Sequence, residues 1–86
     1  MQKTIHNQSY KSLVKWLKKS RESQSITMRE LADKMQVQHS VIWNIENCER
    51  KLDILEYLIY CEALNVDYNI GIDIIKDKSS FTHPSS

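Results

Sequence analysis

Apolar residues return every three or four positions along most of this chain, which is the period of helices. From Ser9, the residues Tyr10, Leu13, Val14, Leu17 and then Arg21 keep that step with lysines between them. The spacing predicts an amphipathic helix of about three to four turns, ended by the polar run Glu22 to Ser25. Thr27-Met28-Arg29-Glu30 carries a capping-box signature, in which hydroxyl and carboxylate each satisfy the other residue's backbone amide. A short second helix follows, with Leu31, Ala32 and Met35 facing inward. The stretch QHSVIWNIENCER, Gln38 to Arg50, then starts a third helix almost at once. At ~100° per residue, Ile42, Ile45 and Glu46 share one side, Ser40, Asn44 and Asn47 lie opposite, and Trp43 sits on the border.

Asp53-Ile54-Leu55-Glu56 repeats the capping-box signature and opens a fourth helix reaching about Asn65. Its inner stripe is expected to be Ile54, Leu58, Cys61 and Leu64. Leu55, Ile59 and Tyr60 fall off that stripe, which leaves more apolar surface than one core contact needs. The stretch VDYNIGIDIIK, from Val66 to Lys76, leaves two readings open. Alternating Ile70, Ile72 and Ile74 with Gly71 among them favour a strand, whereas Asp67 as an N-cap and the Ile70/Ile74 pair favour a short helix. Residues 1–8 are expected to be flexible and 78–86 a disordered tail, leaving one domain over 9–77.

Composition narrows the class. With 86 residues, 41% of them hydrophobic, and one Gly and one Pro, the chain predicts a single all-α domain, a compact bundle of four to five helices. No stretch approaches the ~20 apolar residues of a membrane span, and the first ten residues lack a signal-peptide core. A soluble, cytoplasmic protein is expected. Cys48 and Cys61 form no C-x-x-C pair, and their spacings to His6, His39 and His83 fit no zinc pattern, so two reduced thiols and no metal are expected.

The net charge of +1 conceals a segregation. Residues 1–51 hold ten Lys/Arg against five Asp/Glu, a balance of +5, while residues 52–86 hold two against six, a balance of −4. The bland reading of Lys11, Lys15, Lys18 and Lys19 is the wet side of the first helix.

Two short helices joined by about four residues, the second polar on its outer side, describe a helix-turn-helix. The segment ITMRELADKMQVQHSVIWNIENCER, Ile26 to Arg50, resembles the DNA-binding domain of the phage repressor and Cro family, the XRE-type helix-turn-helix. Leu31-Ala32, Val37, Ile42, Ile45-Glu46 and Arg50-Lys51 carry the likeness. Leu52 to Asp67 (LDILEYLIYCEALNVD) resembles the fourth helix and the start of the fifth in that family.

The resemblance implies roles residue by residue. Gln38, His39, Ser40 and Asn44 fall where members contact base edges in the major groove, and Asn can pair bidentately with adenine. Trp43 stands beside them where members commonly have serine. It could meet DNA, for instance a thymine methyl or a sugar edge, or fill the junction between the second and third helices. Thr27, Asn47, Arg50 and Lys51 fall near phosphates, where contacts position without reading sequence. Arg21 and Glu46 match a structural ion pair. Three further departures are Met28 for a phosphate-gripping glutamine, Gln36 for the turn glycine and Cys48 for the glycine after the recognition helix.

Members without a further domain usually dimerise through their last helices, which makes Leu55, Ile59, Ile70, Ile72 and Ile74 the expected seam. The implied function is a sequence-specific, double-stranded DNA-binding transcriptional regulator, a homodimeric repressor without cofactor. The alternative is an antitoxin-type protein-interaction module with the acidic half as partner surface. His39 adjoins Ser40 without a carboxylate to orient it, so no enzyme is expected.

Overall fold

The computed structural model describes residues 7–78, which form five helices: α1 (Gln8–Ser23), α2 (Met28–Met35), α3 (His39–Glu46), α4 (Ile54–Leu64) and α5 (Tyr68–Lys78). The expected flexible start and disordered tail lie outside the described residues except at their inner ends. There Asn7 caps α1, its side-chain oxygen accepting from the amides of Ser9 and Tyr10, and Lys78 is the last residue of α5.

Both predicted capping boxes form. The Thr27 hydroxyl accepts from the Glu30 amide at 3.0 Å while Glu30 accepts from the Thr27 amide at 2.8 Å. Asp53 and Glu56 make the equivalent pair at 2.7 and 3.2 Å. With almost no glycine available, the left-handed residues at or just beyond the helix ends are Ser25, Gln36, Cys48 and Asn65, at φ of 57 to 59°. Each spends free energy that glycine would not, because Cβ crowds the backbone there.

The only glycine sits inside a helix instead. A Cβ on Gly71 would meet Tyr57 Oη at 2.2 Å, Leu13 Cδ1 at 2.7 Å and Trp16 Cζ3 at 2.9 Å. Its missing side chain lets α5 press against α1 and α4. That resolves Val66 to Lys76 as helix from Tyr68 onward, with Asp67 accepting from the Asn69 amide at 2.9 Å.

The core gathers Tyr10, Leu13, Val14 and Leu17 of α1, Leu31, Ala32 and Met35 of α2, Ile42 and Ile45 of α3, and Tyr57, Tyr60, Cys61 and Leu64 of α4. This corrects the expected stripe of α4. Ile54 and Leu58 point outward, at 69% and 39% exposure, whereas Tyr60 is fully buried. Apolar residues occupy nearly every side of α4, so their spacing does not select a face; the hydroxyls do. Tyr60 Oη donates to Glu46 Oε2 at 2.7 Å, and Tyr57 Oη donates to the Tyr68 carbonyl.

Candidate nucleic-acid interface

The second helix of the short pair, α3, is fixed from behind. Ile42 and Ile45 anchor it in the core, and Glu46 accepts from Arg21 Nε at 2.8 Å and Nη2 at 3.0 Å. Arg21 Nη1 also donates to the Ile26 carbonyl at 2.7 Å, which ties α1 to the start of α2. The bond to Glu46 holds the guanidinium more firmly protonated than usual. Burial, then the bond to Glu46, pushes the Tyr60 hydroxyl far above the ordinary tyrosine range. The cluster is a charged pair with three donors on one buried carboxylate, and it sets the angle at which α3 leaves the core.

Facing outward from that anchor are Gln38, His39 and Ser40, all exposed, with Asn44 half-buried behind them. Trp43 is 46% exposed and is not one of the buried core residues. It stands at the rim of the polar face. Met28 is packed against the core, so the first side chain of α2 is turned inward.

Thr27 is exposed at the head of α2, its hydroxyl oxygen engaged by the Glu30 amide. The turn after α3 is built on one carbonyl, since Asn44 O accepts from the amides of Glu49 at 2.8 Å and Arg50 at 3.2 Å. Asn47 is exposed, and one of its amide hydrogens caps α3 through the Trp43 carbonyl at 2.8 Å. Arg50 pairs with Glu56, whose other oxygen serves the Asp53 cap, and Lys51 is exposed beside it. Thr27 at one end of the helix pair and residues 47–51 at the other therefore frame the exposed side of α3.

Two functional relationships are invisible in the sequence. Tyr10 Oη donates to the Arg50 carbonyl at 3.2 Å and accepts from the Leu52 amide at 2.9 Å, so α1 clasps the turn from forty residues away. No local spacing signals such a bond. Glu56 as partner of Arg50 is likewise hidden, because its capping role accounts for it fully.

The expected dimer seam is divided. Leu55, Ile70 and Ile72 are exposed at 64, 47 and 40%, whereas Ile59 and Ile74 are half-buried. Ile54, not foreseen in this seam, lines an apolar groove with Leu52, Tyr57, Ile72 and Ile75. Cys48 and Cys61 are free thiols. Among the described residues no group of three or more His, Cys, Asp or Glu is placed to hold a metal ion, and no helix is long and apolar enough to cross a membrane. His6 and His83 lie outside the described residues.

A short helix pair on an all-α scaffold, with its second helix anchored by one face and polar on the other, defines a helix-turn-helix DNA-binding domain. The helix-turn-helix family model matches residues 17–70, and the chain belongs to this XRE-type family. Among solved structures it is similar to an XRE-family like protein from Pseudomonas syringae pv. tomato str. DC3000. The two share 31% identity over 86% of this chain and 90% of that one, with a TM-score of 0.78. No curated protein matches this chain.

Proposed function

We propose that this protein is a sequence-specific transcriptional regulator, a cytoplasmic homodimeric repressor whose α3 enters the major groove. The observation that carries the reading is the exposed row Gln38, His39 and Ser40 with Asn44 behind it, on a helix whose other face is locked by Ile42, Ile45 and Glu46. Gln38, His39, Ser40, Asn44 and Trp43 read base edges, and Thr27, Asn47, Arg50 and Lys51 hold phosphates. Dimerisation proceeds through α4 and α5, with Leu55, Ile70 and Ile72 at the surface of the seam and Ile59 and Ile74 beneath it. A two-fold protein then matches half-sites about one helical turn apart.

Selection of bound sites from random duplexes tests this directly. The expected product is a two-fold symmetric site. Asn44→Ala should relax one base position at a cost of about 1–3 kcal/mol, while Arg50→Ala weakens all sequences alike. Failure to enrich any sequence overturns sequence-specific binding, and a strict monomer in light scattering at high micromolar concentration overturns the dimer.

One observation favours a second reading. The exposed apolar residues of α4 and α5 lie in the half of the chain whose charge balance is −4. An antitoxin-type module would use that surface for a basic partner, and stoichiometric co-purification of such a protein would support it.

A further inference from the structure

One flank of α1 carries a cation pattern of its own. Lys11, Lys15 and Lys18 are exposed, and at ~100° per residue they fall within about 60° of one another. Lys19 is turned further round the helix. Leu13 and Trp16 occupy the opposite flank, where they crowd Gly71 of α5. The lysine flank is therefore turned away from α5.

Its neighbourhood is fixed at both ends. Tyr10 bonds to Arg50 and Leu52, and Arg21 bonds to Glu46, so α1 runs past the C-terminal end of α3. Burial raises the thiol of Cys48, two residues past the end of α3, above its ordinary range, and the Lys11 ammonium pulls it back. The ion pairs among the described residues are Arg21–Glu22, Arg21–Glu46 and Arg50–Glu56. None of the three lysines is taken up by a carboxylate there.

We propose that Lys11, Lys15 and Lys18 form a second phosphate-binding track, gripping the DNA backbone alongside the contacts of Arg50 and Lys51. The inference rests on the DNA-binding reading above and extends it to a helix outside the helix-turn-helix. Seven residues of helix advance about 10 Å, roughly the axial rise of three phosphate-to-phosphate steps on one strand. Lysine is a strongly hydrated point charge on a flexible stem. Such contacts strengthen binding to all sequences and do not discriminate among them. The track also gives the segregated charge a use, since a chain of net charge +1 must concentrate its cations to hold a polyanion.

The test is equilibrium binding of the full chain to its selected duplex over a range of salt. Each phosphate contact contributes about 0.9 to the slope of log affinity against log salt. For each bound protomer, the triple variant K11Q/K15Q/K18Q should flatten that slope by roughly 2–3 and lower affinity roughly 100-fold at ~0.15 M salt, with base preferences unchanged. Both effects count twice in log affinity for a two-fold dimer. Lys76→Gln, removing an exposed cation of α5, should leave the slope as it was. Lys15→Gln alone should flatten it by about 0.9 per bound protomer, so the answer does not depend on the triple variant folding. A wild-type slope in the lysine variants, or a change no larger than that from Lys76→Gln, overturns the track alone. Absence of binding by the unaltered chain to any duplex overturns the DNA reading and the track together.

Discussion

Arg21, near the end of the first helix, closes a two-bond fork on Glu46, the last residue of the third, at 2.8 and 3.0 Å. The Glu46 side chain is fully buried and that of Arg21 is 9% exposed. Removing one partner strands a charge in the core. Arg21→Met should therefore cost about 3–5 kcal/mol in urea unfolding. Replacing both, as R21M/E46M, should recover part of that loss, because the uncompensated charge goes with its partner. An equal or larger loss in the double variant would show that the pair contributes more than it costs.

Trp43 separates two readings by stability alone. A tryptophan filling a helix junction would cost about 3–5 kcal/mol on truncation to alanine. At 46% exposure and outside the core cluster, Trp43→Ala should instead stay within about 0.5 kcal/mol of the parent. If its indole covers a thymine methyl, uracil at that position should weaken the parent about fourfold, from the ~0.8 kcal/mol of one buried methyl group. The alanine variant should bind both duplexes equally.

Glycine is wanted at Gln36 and unwanted changes are costly at Gly71. Gln36 is exposed at φ 59°, ψ 44°, a conformation that costs a residue bearing Cβ about 1–2 kcal/mol. Gln36→Gly should raise the thermal midpoint, the gain trimmed by glycine's larger unfolded-state entropy to about 0.5–1 kcal/mol. Gly71→Ala should do the reverse. Helix propensity favours it by about 1 kcal/mol, but overpacking against Tyr57, Leu13 and Trp16 costs about 1–3 kcal/mol.

Alkaline pH should unfold the domain through its tyrosines. Burial raises Tyr10, Tyr57 and Tyr60 above the ordinary value of 10.0. The folded state therefore keeps tyrosine protons that the unfolded chain gives up, so the tyrosines' share of stability is fully present below pH 10 and falls as pH rises above it. The Cys48 and Cys61 thiols, raised by burial from 9.0, begin the decline about one pH unit earlier. Urea midpoints measured from about pH 8 upward should stay level and then decline. Tyr60→Phe should make that decline shallower, because one of the three protons no longer distinguishes the two states.

The parts of the fold that were legible in the sequence are those set by near neighbours. Both capping boxes lie within four residues, and the inward faces of α1, α2 and α3 follow from one clear stripe each. The Arg21–Glu46 pair was legible only through the family resemblance. What escaped was settled across the chain. The inner face of α4 belongs to Tyr57 and Tyr60 because Tyr68 and Glu46 accept their hydroxyl protons, and a period of three or four residues carries no information about a partner fourteen positions away. Gly71 likewise reads locally as a helix breaker, whereas the crowding of three side chains makes it the residue that admits α5. In the recognition helix, spacing put Trp43 on the border and the structure left it at the rim.

The Tyr10 clasp bears on where this domain can be cut. The family match begins at residue 17, yet Tyr10, Leu13 and Val14 all belong to the buried core, and the Tyr10 hydroxyl closes the turn at Arg50 and Leu52. A fragment trimmed to the shared span would open the hydrophobic interior along half of α1 and release the turn that carries Arg50 and Lys51. The span of the family match is thus shorter than the buried core it belongs to, and a fragment that keeps this core intact would start upstream of Tyr10, at the Asn7 cap.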